Sequence, residues 1–281
     1  GTTADVSNPE QNKVRVRIKA KKLDLRSSFD KVFPTSATQQ DVFDYCEKAI
    51  DGTLKGVNAT VFAYGQTNSG KTHTMLGALE SNGPTSTTRS TSNSTTEAAN
   101  VSVSHVVGEN MGLIPRAATR IFQLASLDED VHLHVRCSFM QIYNNQVFDL
   151  LRDKAMKHPL RIRERRREGI FINGLSQVQV SCVDDILSLL RSGGARRAVR
   201  GTEYNDQSSR SHAILQLAIE TQRMKTDPAD EEKVRKVIHR SKLNLVDLAG
   251  SEKWNTARKM IAAQAKELTH INSSLSALGN V

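Results

Sequence analysis

The amino-acid sequence predicts an α/β domain with a central, largely parallel β-sheet flanked by helices on both faces. Segments in which apolar residues alternate or cluster, as in strands, follow one another along the chain with segments whose apolar residues recur at helical spacing. Alternation of this kind is typical of a sheet whose strands are connected through helices. The 281 residues suffice for one large domain with a sizeable core, and no internal repeat divides them.

The amino-terminal half of this alternation contains a helix, a strand, a second helix and a long strand. Residues 40–51 have apolar side chains at helical spacing, which predicts a helix. Residues 58–65 are a short stretch rich in β-branched and aromatic side chains, which predicts a buried strand. Helical spacing returns at residues 114–125. Residues 131–144 alternate well enough to form a long strand.

The carboxyl-terminal half continues the pattern. Residues 183–198 begin with acidic side chains and predict a helix that ends near Gly193 and Gly194. Alternation predicts a strand over 212–222, a polar turn or loop over 224–236, and an apolar strand over 241–250. The last segment, 265–281, predicts the start of a helix.

Two segments depart from the α/β pattern. Residues 81–110 are rich in Ser, Thr and Asn and predict a long surface loop or disordered insertion. Residues 161–169, "RIRERRREG", are arginine-rich; a solvated hairpin is the simpler interpretation, and contact with an acidic partner is the alternative. The formal net charge of +9 favours a polyanionic partner of some kind.

Composition also argues against several classes of protein. No apolar run approaches the roughly 20 residues that a membrane-spanning helix needs, and the amino terminus has no apolar signal core. Cys46, Cys137 and Cys182 are far apart and have no metal-ligand spacing, so we expect reduced thiols. These features predict a cytosolic or nuclear protein.

A phosphate-binding loop is the clearest chemical motif. Gly65, Gly70, Lys71 and Thr72 satisfy G-x-x-x-x-G-K-[ST] between a predicted strand and a predicted helix. In such loops backbone N–H groups surround phosphate oxygens, the lysine reaches the β- and γ-phosphates, and the hydroxyl binds Mg²⁺. The sequence therefore predicts a nucleoside triphosphate site of the P-loop type.

Two further segments fit triphosphate hydrolysis. Asp247 ends an apolar strand, where it can hold the metal's water shell, and Gly250 can offer its N–H to the γ-phosphate. Residues 205–212, "NDQSSRSH", form a polar segment able to close over a γ-phosphate. A guanine-reading Asn/Thr-Lys-x-Asp motif does not occur in the sequence, which favours ATP over GTP.

Together these motifs resemble the kinesin motor domain. The resemblance covers about residues 27–281, in the family order, and rests on "SSFDKVFP", "AYGQTNSGKTHTM", "SFMQIYNNQVFDLL", "NDQSSRSHAIL", "LNLVDLAGSE" and "INSSLSALGNV". It implies an eight-stranded sheet flanked by helices, hydrolysis of MgATP to ADP, and movement on microtubules in the cytoplasm.

The resemblance also implies roles for single residues. Those expected to bind nucleotide are Gly65, Gln66, Thr67, Asn68, Ser69, Gly70, Lys71, Thr72 and His73, the last near the adenine. Those expected to hold Mg²⁺ are Thr72, Ser209 and Asp247. Those expected to act in catalysis through the two switches are Asn205, Ser209, Arg210, Gly250 and Glu252. Arg210 and Glu252 are expected to form an ion pair, with Asn272 close to Glu252, and residues 253–260 are expected to face tubulin.

Some positions depart from the family pattern. Asn145 and Gln146 stand where many members have Glu, Ser273 stands where many have Lys, and the loop after "LAGSE" lacks the usual glycines. By the family pattern the chain is also expected to lack its first strand and to end within the relay helix, leaving one truncated motor domain over 1–281.

Three functional hypotheses follow. The leading one is a microtubule-stimulated ATPase core; the alternative is a nucleotide-binding microtubule or scaffold module that does not hydrolyse. A P-loop ATPase acting on nucleic acid rests on the basic charge alone, so no nucleic acid is expected as a partner. The oligomeric state is left open.

Overall fold

The computed structural model describes residues 4–7, 14–20, 23–78, 108–152, 158–166, 169–202, 210–227, 230–252 and 262–279. The predicted insertion over 81–110 therefore falls almost wholly outside the described residues, as do Asn205, Ser209 and the segment 253–260. Within the described part of the chain, no helix is long and apolar enough to cross a membrane.

Eleven strands and five helices occur among the described residues. The strands are β1 Ala4–Ser7, β2 Val14–Ala20, β3 Leu23–Phe29, β4 Ala59–Ala63, β5 Val131–Tyr143, β6 Gln146–Asp149, β7 Arg161–Arg165, β8 Gly169–Asn173, β9 Val178–Val180, β10 His212–Asp227 and β11 Asp230–Asp247. The helices are α1 Gln39–Thr53, α2 Lys71–Met75, α3 Leu113–Ser126, α4 Val183–Thr202 and α5 Ala262–Gly279.

The central sheet has the strand order β4-β11-β10-β5-β6, and β9 also pairs with β5. Strands β1, β2 and β3 form a separate antiparallel sheet, and β7 and β8 form a two-stranded hairpin. A central sheet with flanking helices confirms the predicted α/β class. Apolar side chains between sheet and helices form one core, to which Ile50, Ile121, Leu187, Leu215 and Leu243 contribute fully buried side chains.

The direction of the strands corrects the expectation of a largely parallel sheet. Among the described strands of the central sheet, only β4 and β11 pair in parallel; the other pairings are antiparallel. Two of these antiparallel pairs, β5–β6 and β10–β11, connect strands that are consecutive in the sequence. Asn144 and Asn145, with φ of 52° and 57°, turn β5 into β6, a conformation that asparagine tolerates. Residues 224–236 were predicted as a polar turn or loop, but 224–227 continue β10 and 230–236 belong to β11.

Helix α4 also differs from its prediction, because it passes through Gly193 and Gly194 to Thr202. A Cβ at Gly193 would collide with the ring of Phe139 on β5, whereas a Cβ at Gly194 would meet nothing within 4 Å. Gly193 therefore allows α4 to pack closely against the sheet, and it does not end the helix. The extra turns carry Arg197 to Asp247 at the carboxyl end of β11.

The remaining predicted elements are confirmed as helices and strands, with one difference in burial. Strand β4 pairs only with β11 among the described strands, and Phe62 and Tyr64 are 49% and 61% exposed. The predicted strand is therefore present but not buried. Residues Arg161–Arg165 of the arginine-rich segment form β7, which has exposed side chains and pairs with β8, and the Arg165 guanidinium lies 4.4 Å from the centre of the Phe171 ring.

Candidate functional site

The candidate site lies where the two parallel strands of the central sheet end. The register places Ala63 of β4 beside Asp247 of β11, so the segments that follow leave the sheet at the same edge. They remain in contact, since Leu248 N donates to Ala63 O at 3.4 Å and Ser251 N donates to Gly65 O at 3.0 Å. The carboxyl edge of parallel strands is the usual position of nucleotide sites in α/β proteins.

The phosphate-loop residues of the sequence prediction lie at this edge. Lys71 begins α2, and its Nζ donates to Gly65 O at 3.0 Å and Gln66 O at 2.8 Å. Two of the three ammonium donors are therefore accounted for within the loop itself. Asn68 has a φ of 63°, and both Asn68 and Ser69 are exposed. The cation is held at the loop, where a phosphate would meet it.

Thr72 and Asp247 meet directly across the site. Thr72 Oγ1 donates to Asp247 Oδ2 at 2.8 Å. Asp247 is 5% exposed, and its Oδ1 is buried without a hydrogen-bond partner among the described residues. A hydroxyl beside a buried carboxylate oxygen with an open acceptor position fits the all-oxygen surroundings that Mg²⁺ prefers, with water molecules completing the shell.

Arg197 is a residue of this site that the sequence analysis missed. Its Nη1 lies 3.4 Å from Asp247 Oδ2, and its Nη2 donates to Ser211 O at 3.1 Å. The Arg197 and Asp247 side chains are 11% and 7% exposed, so the pair is largely removed from water. The sequence predicted that α4 ends near Gly193, so Arg197 was not expected to lie on the helix or close to the sheet.

Glu252 contacts the phosphate loop through Thr67. Thr67 N donates to Glu252 Oε2 at 2.8 Å, and Thr67 Oγ1 donates to Glu252 Oε1. Gly250 lies beneath this contact, and a Cβ there would collide with Thr67 Oγ1 and the Glu252 carboxylate. Burial raises the pKa of Glu252, but the hydrogen bonds from Thr67 and the positive charge of Lys71 outweigh it, so the pKa lies below the ordinary value. The carboxylate is therefore ionised at neutral pH.

His73 is oriented by the start of α1. Gln39 Nε2 donates to His73 Nδ1 at 3.1 Å and to His73 O at 2.8 Å, and Gln39 itself is buried. The imidazole is exposed. An exposed ring fixed by a buried amide can stack against a flat ligand, which is compatible with the expected position near the adenine.

Several predicted residues are not placed by these contacts. Asn205 and Ser209 lie outside the described residues, and the side chain of Asn272 is not described. Arg210 lies at the start of the segment leading to β10 and is partly exposed. Its ion pair with Glu252 remains a prediction.

A cavity of about 320 Å³ lies elsewhere, beside the middle of β11 and the carboxyl-terminal ends of α1 and α3. Its lining includes Leu54, Leu124, Val131, Val237 and His239. These residues are remote from the loop that follows β4, so the cavity is separate from the candidate site.

Comparison with known proteins agrees with the geometry. Residues 2–281 match the kinesin motor domain family. Kinesin-related protein 5 of Dictyostelium discoideum is 38% identical over 90% of this chain and 22% of its own length, and the human kinesin heavy chain isoform 5A is 37% identical over 90% of this chain and 21% of its own length. The chain thus spans about a fifth of the length of these curated relatives.

Solved structures show the same likeness. The structure of a fast kinesin superposes with a TM-score of 0.74 at 32% identity, covering 99% of this chain and 68% of that chain. The Kar3-like kinesin motor domain from Ashbya gossypii gives a TM-score of 0.71 at 25% identity, covering 99% of this chain and 72% of that chain. On its sequence and its fold, the chain belongs to the kinesin motor domain family.

Proposed function

We propose that residues 1–281 form the catalytic core of an ATP-driven microtubule motor, a single motor domain into which 81–110 are inserted. The core binds ATP or ADP with Mg²⁺ and hydrolyses ATP faster when it is bound to a microtubule. Its proposed location is the cytoplasm, on the microtubule cytoskeleton. Membership of the family supports this function, and the structure of the fast kinesin is described in terms of ATPase mechanism and microtubule interaction.

One observation carries the proposal: the hydrogen bond from Thr72 to Asp247, formed where the loops after β4 and β11 meet. It joins the last residue of the phosphate loop to the carboxylate that ends β11. A bound Mg²⁺ would neutralise developing charge on the transferred phosphoryl group. Thr72 and Asp247 would hold the ion and its water shell, Ser209 would complete the contacts, and Lys71 would pair with the phosphates.

The other predicted residues are proposed to act around this pair. Gly250 has no side chain, so its backbone can approach a γ-phosphate closely. Glu252 is held on Thr67 in this structure, and we propose that it pairs with Arg210 when the site closes. Asn205 belongs to the same closing segment as Ser209. The nucleotide itself would lie along residues 65–73.

The proposed partner is the acidic surface of the microtubule. The net charge of +9 favours a polyanion, and the chain's family supports tubulin over nucleic acid. We propose that 253–260 contribute to this contact. Measuring binding to microtubules and to duplex DNA at the same salt concentration distinguishes the two partners. A protein that binds through general charge attraction alone would bind both polymers.

The test is a steady-state ATPase assay with increasing microtubule concentration. We expect slow turnover of MgATP that rises severalfold to a plateau as microtubules are added. Removal of Mg²⁺ with EDTA should abolish the ATPase rate both with and without microtubules. Asp247→Asn should abolish the stimulated rate, while Asp128→Asn, at a remote exposed ion pair with Arg223, should leave it unchanged. Nucleotide binding without turnover under every condition would favour the non-hydrolysing module.

A further inference from the structure

His212 connects two segments that lie on opposite sides of it. It is the first residue of β10 and is 7% exposed. Its Nδ1 accepts a hydrogen bond from Ala249 N at 3.0 Å, and its Nε2 lies 2.9 Å from Ser274 Oγ. Ala249 directly precedes Gly250 in the segment after β11, and Ser274 belongs to α5. One buried imidazole thus touches both the edge of the candidate site and the helix.

The protonation state of His212 follows from these contacts. A backbone N–H can only donate, so Nδ1 must be the acceptor and the ring proton must lie on Nε2. Nε2–H then donates to Ser274 Oγ, whose own hydroxyl donates to Ile271 O at 2.7 Å. Every polar atom of the ring and of the serine hydroxyl therefore has a defined role. The rigid ring sets the separation between Ala249 N and Ser274 Oγ.

A second contact holds the same face of α5. Asn145 Nδ2 donates to His270 Nδ1 at 2.7 Å, from the tight turn between β5 and β6. Residues four apart share one face of a helix, so His270 and Ser274 present their side chains to the same side, and Ile271 between them is buried. The Asn145 contact reaches the β5–β6 turn only and does not touch the Asp247–Gly250 segment.

We propose that His212 is a positioning residue that couples α5 to the nucleotide state of the Asp247–Gly250 segment, whereas the Asn145–His270 contact only anchors the helix. The proposal rests on the proposed function in one respect, that the segment moves when the nucleotide changes. A shift of the Ala249 amide moves the imidazole that is hydrogen-bonded to it, and the imidazole carries Ser274 and its helix. Asn145 supports the helix equally in every nucleotide state.

The test compares amide hydrogen exchange of α5 in MgADP and in a non-hydrolysable ATP analogue with Mg²⁺. Ser274→Ala removes the helix end of the connection, and His212→Asn keeps an acceptor for Ala249 N but is too short to reach Ser274. Asn145→Ala is the matched control, since it removes a hydrogen bond of the same kind to the same helix face. Melting temperatures verify that each variant is folded. If His212→Asn does not fold, the comparison of Ser274→Ala with Asn145→Ala still tests the proposal.

We expect the exchange rates of α5 in the wild type to differ by about threefold or more between the two nucleotides. Ser274→Ala and His212→Asn should bring the two rates together. Asn145→Ala should raise both rates and keep their ratio. Three outcomes would overturn the coupling role. They are an unchanged ratio of the two exchange rates in Ser274→Ala, rates that become equal in Asn145→Ala as well, and exchange rates in the wild type that do not depend on the nucleotide.

Microtubule-stimulated turnover of the wild type is measured separately, so failure of the proposed function is visible independently of the exchange result. Where stimulation is present, losing one hydrogen bond in the connection should lower the stimulated kcat about fivefold. The double variant His212→Asn, Ser274→Ala should then be no slower than the slower single variant, because both changes interrupt one connection.

Discussion

Lys71 donates hydrogen bonds from its ammonium group to Gly65 O and Gln66 O, at 3.0 and 2.8 Å, and so returns to the loop from which α2 begins. The cation is thereby fixed at the phosphate loop by the loop's own carbonyl groups. The ammonium group has a third donor, from which a bound phosphate can accept a hydrogen bond.

Lys71→Ala should weaken MgATP binding by at least about tenfold, because a charge-assisted hydrogen bond is worth about 1.5–3 kcal/mol and loop amides cannot replace a full charge. Equilibrium titration with a fluorescent ATP analogue measures the affinity. Lys55→Ala, at an exposed lysine after α1, is the control for loss of positive charge and should bind normally. Equal affinities of Lys71→Ala and wild type would contradict the assignment of the loop.

Arg210→Ala should lower kcat by about tenfold or more while ADP binds nearly as before, because the expected pair with Glu252 forms only in the closed triphosphate state. Glu252→Ala should behave alike, and the double variant should be little slower than either single variant. Steady-state kinetics provide the comparison, with Arg191→Ala on the exposed surface of α4 as control. Additive losses would show that Arg210 and Glu252 act independently.

The lowered pKa of Glu252 predicts how the free energy of unfolding depends on pH. Its ionised form is favoured in the folded chain, so its contribution is fully present above the unfolded pKa of about 4.3 and is lost as the pH falls through the lower folded pKa. Thr67→Val removes a hydrogen bond to the carboxylate and should bring the folded pKa back toward the ordinary value. The loss of stability between about pH 5 and pH 3 should then become smaller.

Urea unfolding across this pH range measures the effect. Thr60→Val serves as the control, since Thr60 Oγ1 on exposed β4 accepts a hydrogen bond from Asn244 and has no contact with Glu252. An acid dependence identical in Thr67→Val and wild type would show that Thr67 does not set the pKa of Glu252.

Gly193→Ala and Gly194→Ala should change stability in opposite directions. At Gly193 the added methyl group meets the Phe139 ring and should cost about 1–3 kcal/mol. At Gly194 there is space, and the gain in helix propensity should contribute up to about 1 kcal/mol. Chemical denaturation measures both, and Phe139→Leu should partly relieve Gly193→Ala. A neutral Gly193→Ala would mean that α4 does not pack closely on β5.

The elements that local pattern determines were predicted well from the sequence. Helix α1 has its apolar side chains at helical spacing and a capping box in which Thr38 and Asp41 exchange hydrogen bonds, and β5 alternates along its length. The phosphate loop was found because its chemistry needs a fixed spacing of glycine, lysine and threonine. Such features depend on neighbours in sequence, which is why the chain alone reveals them.

The features that the sequence did not reveal depend on tertiary contacts. Gly193 was interpreted as a helix end, but the Phe139 ring beneath it explains the glycine, and Arg197 was missed as a consequence. Residues 224–227 and 230–236 of the polar segment form strands because β10 and β11 pair with each other, which no local propensity shows. The apolar side chains of Phe62 and Tyr64 suggested burial, although β4 has a neighbour on one side only among the described strands.

The base of the predicted insertion has a practical consequence for engineering the chain. Gly77 and Met111 form an isolated bridge, and Ala78 N donates to Asn110 O at 2.9 Å, so the chain leaves and returns at one point. Arg116, buried and hydrogen-bonded to Met111 O, fixes the returning side. The composition of 81–110 predicts a surface loop, and doubling the length of such a loop costs only about 0.6 kcal/mol, so we expect the residues between these fixed ends to offer a graft point. A fluorescent reporter or affinity tag inserted there would leave the sheet and the two loops of the nucleotide site covalently untouched.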